Sequence, residues 1–250
     1  MSHIAVNKSP SRFVLVDFDN LRKAQGLSVA ETVQSYGHIF NKLEKSSDFF
    51  DGVTQLEHVT VLFFGGWFCG DHVTPEAQEV FVEIGRRCGE TIKLNNGTAI
   101  KVDGKRCSGL SFMHGKSLYN TFRRCRVRPR VNKKFNACCD KQREAIEQIR
   151  DYLQGESCVY CKKNPSDELF EIDAQKMVDS LIFCTAMELS EDATNSVAIV
   201  SSDSDMIPVV FSLASKGRRI YHVFTSSTED NSYRDFYALL CPKDCRKVFW

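Results

Sequence analysis

Short apolar runs that end in acids or glycines alternate with stretches of helical period along the first ninety residues. Phe13-Val-Leu-Val16 is a strand-length, β-branched run closed by Asp17-Phe18-Asp19-Asn20. Ser28-x-x-Glu31 is a capping box and predicts a helix through about Lys45, with Val33, Tyr36, Ile39, Phe40 and Leu43 along one side. His58 to Phe64 reads as a second buried strand closed by Gly65-Gly66, and Thr74-Pro75 opens a second helix that stops at Gly89. The order β-α-β-α predicts a parallel sheet covered by helices.

From Thr91 to about Phe135 the pattern shortens to β-like pieces broken by Gly97, Gly104, Gly109, Gly115 and Pro129. Cys138 to about Leu153 reads as a helix ending at Gly155, followed by the polar knuckle Cys158-Val-Tyr-Cys161. Residues 97–165 are therefore expected to form a basic insertion or lid within one domain spanning 1–250. Asp173 to Leu189 is the strongest helix, and Val178, Leu181, Ile182, Cys184 and Ala186 make it too apolar all round for a surface position. Asp179 sits in the middle of it, where a carboxylate costs free energy unless it is paired or holds a metal. Lys176, three residues earlier on the same face, is its candidate partner, and Asp173 is a candidate N-cap. Val197 to Val200 is the next strand, followed by Ser201-Ser202-Asp203-Ser204-Asp205, a helix with Pro208 in its first turn, the stop Gly217, and a strand from Arg218 to Phe224. One more helix around Tyr233 to Leu240 and an edge strand at Val248 to Trp250 complete the prediction.

Composition narrows the class. The chain has 250 residues, 42% of them hydrophobic, enough for one large core. No apolar run approaches the ~18 residues of a membrane span, and the polar stretch Met1 to Ser11 lacks an export core. Eleven cysteines in such a chain point to reduced thiols or metal ligands, hence to a cytoplasmic compartment. The net charge of +1 hides a segregation, because residues 101–134 carry eleven Lys or Arg against the single acid Asp103. That imbalance points to a polyanionic partner, with Arg123, Arg124, Arg126, Arg128, Arg130, Lys133 and Lys134 as candidate nucleic-acid contacts. On a strand, Arg124, Arg126, Arg128 and Arg130 fall on one face.

Two strands that end in acids, far apart in sequence, imply one shared pocket, since the carboxyl ends of parallel strands line the ligand crevice. Asp17, Asp179 and Asp203, with Asp205, Asp19 and Asn20 nearby, supply the oxygen ligands that hard cations such as Mg²⁺ or Mn²⁺ take. Read from the residues alone, the chemistry is metal-assisted phosphoryl transfer beside a basic strip. Asp205 also suits a helix cap and Asp19 a turn.

The chain resembles the NYN domain, a branch of the PIN-like nucleases. Asp17-Phe18-Asp19-Asn20 matches the family's Asp-x-x-Asn strand end, Lys176-Met177-Val178-Asp179 its Lys-Gly-Val-Asp helix, and Ser201-Ser202-Asp203-Ser204-Asp205 its Ser-Gly-Asp-Ser-Asp turn. Met177 and Ser202 stand where the family usually has glycine. The resemblance covers residues 12–96 loosely and 171–224 closely and leaves the basic middle outside. It implies an α/β three-layer sandwich with a mostly parallel sheet and a metal-dependent endoribonuclease. Its catalytic residues would be Asp17, Asn20, Asp179, Asp203 and Asp205, with Asp17, Asp179 and Asp203 on the metal and Lys176, Asp19 and Ser201 in support. Three further readings stand beside it. Cys158 and Cys161 with Cys138, Cys139 or Cys125 upstream have the ligand chemistry of a structural Zn²⁺ site, although only one CxxC is present. An RNA-binding scaffold, monomeric or homo-oligomeric, would keep the fold without turnover. A haloacid-dehalogenase-like phosphatase would make Asp17 the nucleophile and Asp19 the general acid, and leaves Asp179 without a role.

Overall fold

In the computed structural model the described residues are 11–53, 56–69, 72–87, 89–107, 109–111, 117–119, 122–124, 139–154, 174–225 and 245–249. They divide into two compact units, residues 1–122 with 177–250, and residues 123–176.

The first unit holds strands β1 (Arg12–Asp17) and β2 (Glu57–Phe64), separated by helices α1 (Phe18–Gln25), α2 (Val29–Gln34) and α3 (Tyr36–Ser46). Helix α4 (Pro75–Arg87) leads to β3 (Thr91–Lys93) and β4 (Ala99–Cys107). The predicted single helix from Ser28 to Lys45 is two helices, because Ser35 ends one and begins the other. The expected capping box is present, the Ser28 hydroxyl accepting from the Glu31 N–H and Glu31 accepting from the Ser28 N–H. Helix α1 is absent from the prediction because its eight residues are too few for a hydrophobic period to register. The second unit contains α5 (Asp140–Gln154) and the extended segment Ala174–Lys176. The first unit then resumes with α6 (Val178–Leu189), β5 (Ser196–Val200), α7 (Ile207–Ser215), β6 (Arg219–Phe224) and β7 (Cys245–Phe249).

Seven strands form one sheet in the order β7-β6-β5-β1-β2-β4-β3. Six are parallel and only the short edge strand β3 runs antiparallel, as the alternation of strands and helices predicts. Successive side chains of the central strands point to opposite faces and create two cores. Val14, Val16, Val61, Phe63, Ala198, Val200 and Val223 face Val33, Ile39, Phe40 and Leu43. Leu15, Leu62, Phe64, Val197, Ile199 and Ile220 face Leu181, Ile182, Ala186, Val209, Val210 and Leu213. Each such fully buried side chain contributes about 1.5–3 kcal/mol, so this three-layer α/β sandwich is held mainly by its two apolar interfaces. At the far end of β1 the buried Arg12 guanidinium is satisfied by the carbonyls of Phe49 and Asp51 and by Glu57 at 2.5 Å.

Three expectations change. Residues 97–165 are not an insertion throughout, because Ala99–Cys107 pairs along its length with β2 as a strand of the main sheet. The helix predicted from Asp173 starts at Val178, after Met177 takes the left-handed conformation at φ 67°. That moves Asp179 from mid-helix to the first turn, where it is only half-buried. The same helix is less enclosed than its composition suggests, with Phe183 at 38% exposure. The predicted helix at 233–240 lies outside the described residues, as do Asp173 and Gly155. The predicted edge strand is present but longer, Cys245–Phe249.

Candidate active site

The chain runs outward from β1 through β2 to β4 on one side, then returns to β5, β6 and β7 on the other. The strand order therefore reverses between β1 and β5, the topological switch point at which ligands bind in open α/β sheets. Val16 pairs with Val200, so Asp17 and Ser201 are the first residues past the paired ends of two adjacent strands. The Ser201 hydroxyl donates to Asp17 Oδ2 at 3.0 Å and accepts the Asp203 N–H at 3.1 Å. One serine thereby ties the acid of the first strand to the acidic turn of the fifth.

Asp17 is fully buried and caps α1, its Oδ1 accepting the Asn20 N–H at 3.2 Å. Burial pushes its carboxyl up to about 7. The Asn20 and Ser201 hydrogen bonds pull the other way, and the negative charges of Asp179 and Asp19 add to the rise. Asp179 is therefore within electrostatic reach of Asp17, as the sequence predicts. Asp203 Oδ1 accepts the Asp205 N–H at 3.1 Å and caps the short 3₁₀ turn Ser204–Met206. The capping role expected of Asp205 thus belongs to Asp203, and Asp205 is exposed.

Asp19 does not simply open a turn. It is buried in the first turn of α1, and its Oδ2 accepts the Gly66 N–H at 3.0 Å, which fixes the loop after β2. This is the work of an acceptor, and it argues against the general acid that the phosphatase reading requires. Gly65 in the same loop has no room for a side chain, since a Cβ there would meet the Trp67 ring at 2.7 Å. Trp67 in turn donates to the Cys107 carbonyl at 2.7 Å and holds the end of β4 beside that of β2.

Sequence reasoning misses two residues here, Thr225 and His222. Thr225, the first residue past β6, is fully buried and bonded to both Asn20 and Ser202. Its signal was available, because it follows an apolar strand as Asp17 does. His222 is also fully buried, and its Nε2 lies 2.8 Å from the Ser201 carbonyl, which can only accept. The proton therefore sits on Nε2, and the ring supports Ser201 from below while packing at 4.3 Å on Phe224. Ser202 donates its N–H to Asn20 Oδ1 at 3.0 Å.

Among the described residues no three His, Cys, Asp or Glu side chains are gathered as a ready cation cage. The donor chemistry nevertheless fits Mg²⁺ or Mn²⁺, which are held by one or two carboxylates plus water and substrate phosphate oxygens rather than by an all-protein cage. Asp17 and Asp179 are the candidate pair, and a cation there would offset both the burial of the Asp17 carboxylate and its repulsion by Asp179. The Zn²⁺ expectation falls mostly outside the described residues, with Cys125, Cys138, Cys158 and Cys161, while Cys139 is an exposed thiol. Arg126, Arg128, Arg130, Lys133 and Lys134 also lie outside them. Arg123 and Arg124 belong to the extended segment Phe122–Arg124, and Lys176 ends the segment Ala174–Lys176, but none of these three side chains is among those described.

Among the described residues no helix is long and apolar enough to cross a membrane. Neither the curated proteins nor the solved structures give a match to this chain. The model of the NYN domain family matches residues 97–238, more than half of the chain. It includes the basic middle that the motifs alone leave outside, and it stops short of β1, whose Asp17 the sheet carries back into the same site. The chain therefore belongs to the NYN domain family, and with it to the PIN-like nuclease class.

Proposed function

We propose that this protein is a metal-dependent endoribonuclease that hydrolyses RNA phosphodiester bonds at the crevice between β1 and β5. The observation that carries the reading is the Ser201 bridge, which holds Asp17 and the Asp203 turn together at the switch point. Asp17, Asp179 and Asp203 would hold the ion, with Ser201 tying the first to the turn of the third. A bound Mg²⁺ or Mn²⁺ neutralises charge on the phosphodiester and makes a water a better nucleophile. The chain's own residues do the rest. Ser201 orients Asp17, and Asp203 shapes the turn that carries it. The Asp19–Gly66 bond fixes the wall of the crevice on the β2 side.

The basic residues of 101–134 would bind the RNA backbone, since an acidic crevice on its own repels phosphate. Cleavage of labelled RNA and DNA oligonucleotides with Mg²⁺ or Mn²⁺ tests the reading, and we expect RNA to be cut. Asp179→Asn and Asp203→Asn should each lower the rate at least about a hundredfold with the fold retained. No cleavage of either nucleic acid with either ion would overturn the enzyme. A second reading, an RNA-binding protein with weak turnover, is favoured by the two family glycine positions that Met177 and Ser202 occupy.

A further inference from the structure

The loops after β1, β5 and β6 meet at one side chain, Asn20. Its Oδ1 accepts the Ser202 N–H at 3.0 Å and lies 2.7 Å from the Thr225 hydroxyl. A backbone N–H can only donate, so the amide atom facing it must be oxygen, and Nδ2 with its two hydrogens takes the other branch. Thr225 is itself held on three sides. Its N–H donates to Ser202 Oγ at 2.8 Å, its hydroxyl lies 2.9 Å from that of Ser202, and its carbonyl accepts from Gln25 Nε2. Both Thr225 and the ends of α1 are thereby fixed to the strand ends. Ser202 stands where the family's turn usually has glycine, and a glycine would offer Thr225 no hydroxyl. The clamp is built from this chain's own residues.

We propose that Ser202 and Thr225 are positioning residues that lock the Asn20 amide with its nitrogen toward the acidic crevice, where it donates to a nonbridging oxygen of the scissile phosphodiester. The placement suits that task. The Asn20 N–H is bonded to Asp17 Oδ1, so the amide is one short side chain away from the carboxylate that would hold the ion. A phosphate oxygen only accepts, and a neutral amide can serve it without competing with the ion for Asp17, as a Lys or Arg there would. Without the Thr225 hydroxyl the Ser202 N–H alone holds Oδ1, and the amide is less firmly kept with its nitrogen toward the phosphate.

The inference rests on the nuclease reading, and two measurements separate the fates of the two. The first is steady-state cleavage of a diribonucleotide by Thr225→Val, which keeps the shape and loses the hydroxyl. KM should rise about tenfold, the worth of one misplaced hydrogen bond, with kcat less affected, and Thr225→Ser should restore it. The second is the Asn20 side-chain amide resonance of ¹⁵N-labelled protein in Ca²⁺. Adding the dinucleotide should shift that NH₂ pair in wild type and not in Thr225→Val. Should Thr225→Val fail to fold, Ser202→Gly carries the same two measurements. If wild type cleaves nothing but its Asn20 amide still shifts with dinucleotide, the enzyme reading fails and the clamp stands. An unmoved amide in wild type, or unchanged KM and amide shift in Thr225→Val, overturns the clamp.

Discussion

Replacing Asp17 by Asn should make the metal-free protein more stable while removing its activity. The wild-type carboxyl is pushed from 3.8 to about 7, chiefly by burial. Between those values the unfolded chain has lost the proton and the folded chain keeps it, so the folded state binds more protons and stability falls as pH rises. Each pH unit in that window costs about 1.4 kcal/mol, and the full loss from pH 4 to above pH 7 is about 4 kcal/mol. Asn is neutral throughout. It also remains a good N-cap, and its oxygen can still accept the Asn20 N–H. Urea unfolding in EDTA should therefore give the two proteins similar stability near pH 4 and a gap opening toward pH 7, with Asp17→Asn the more stable. Mn²⁺ added at pH 8 should stabilise wild type and leave the variant unmoved. Parallel pH profiles for the two proteins would refute the argument, because they would mean that Asp17 ionises in the folded state as easily as in water.

Three further changes test other parts of the structure. Gly65→Ala should destabilise by about 1–3 kcal/mol in the same unfolding assay, because the new methyl meets a Trp67 ring that its bond to Cys107 keeps from moving away. Met177→Gly should raise the unfolding free energy by about 1 kcal/mol, seen as a higher urea midpoint, since it removes a side chain from a left-handed backbone at φ 67°; a lower midpoint would show that the side chain contributes more than the strain costs. Replacing Arg124, Arg126, Arg128 and Arg130 by Ala should weaken RNA binding whatever the sequence and flatten its salt dependence by about 0.7 per lost phosphate contact. An unchanged slope would mean that these arginines do not track the RNA.

The strands were legible because a buried parallel strand writes itself as an apolar run, and the acids at their ends stand out against it. Asp17 and Asp203 were found that way, and the pattern also predicted a shared pocket. Helix α1 and the break at Ser35 were not legible, since both depend on how short segments pack rather than on period. The start of α6 was misread because the sequence does not reveal that Ala174–Lys176 is extended and that Met177 turns left-handed before the helix begins. Capping was assigned to the wrong aspartate for a related reason. The cap of a 3₁₀ turn sits one residue before it, and sequence alone does not separate that turn from α7. Thr225 and His222 gave no charge signal, and their roles arise from the pairing of β6 with β5, which brings His222 to the Ser201 carbonyl and Thr225 to Ser202.

The central strand of the sheet sets a schedule for making the protein. Arg12 of β1 pairs with Ser196 of β5, and Asp17 meets Ser201 across 184 positions of chain. At ribosomal speeds of about 5–20 residues per second, β1 waits roughly 10–40 s for that neighbour to be synthesised. During this interval it can pair on one side only, with β2, and its other edge stays open. Asp17 at the tip of that edge is then still hydrated and charged, and it is buried only when β5 closes over it. A hydrated carboxylate at the end of an open strand disfavours edge pairing with another chain, so the acid of the crevice also blunts this edge until β5 arrives.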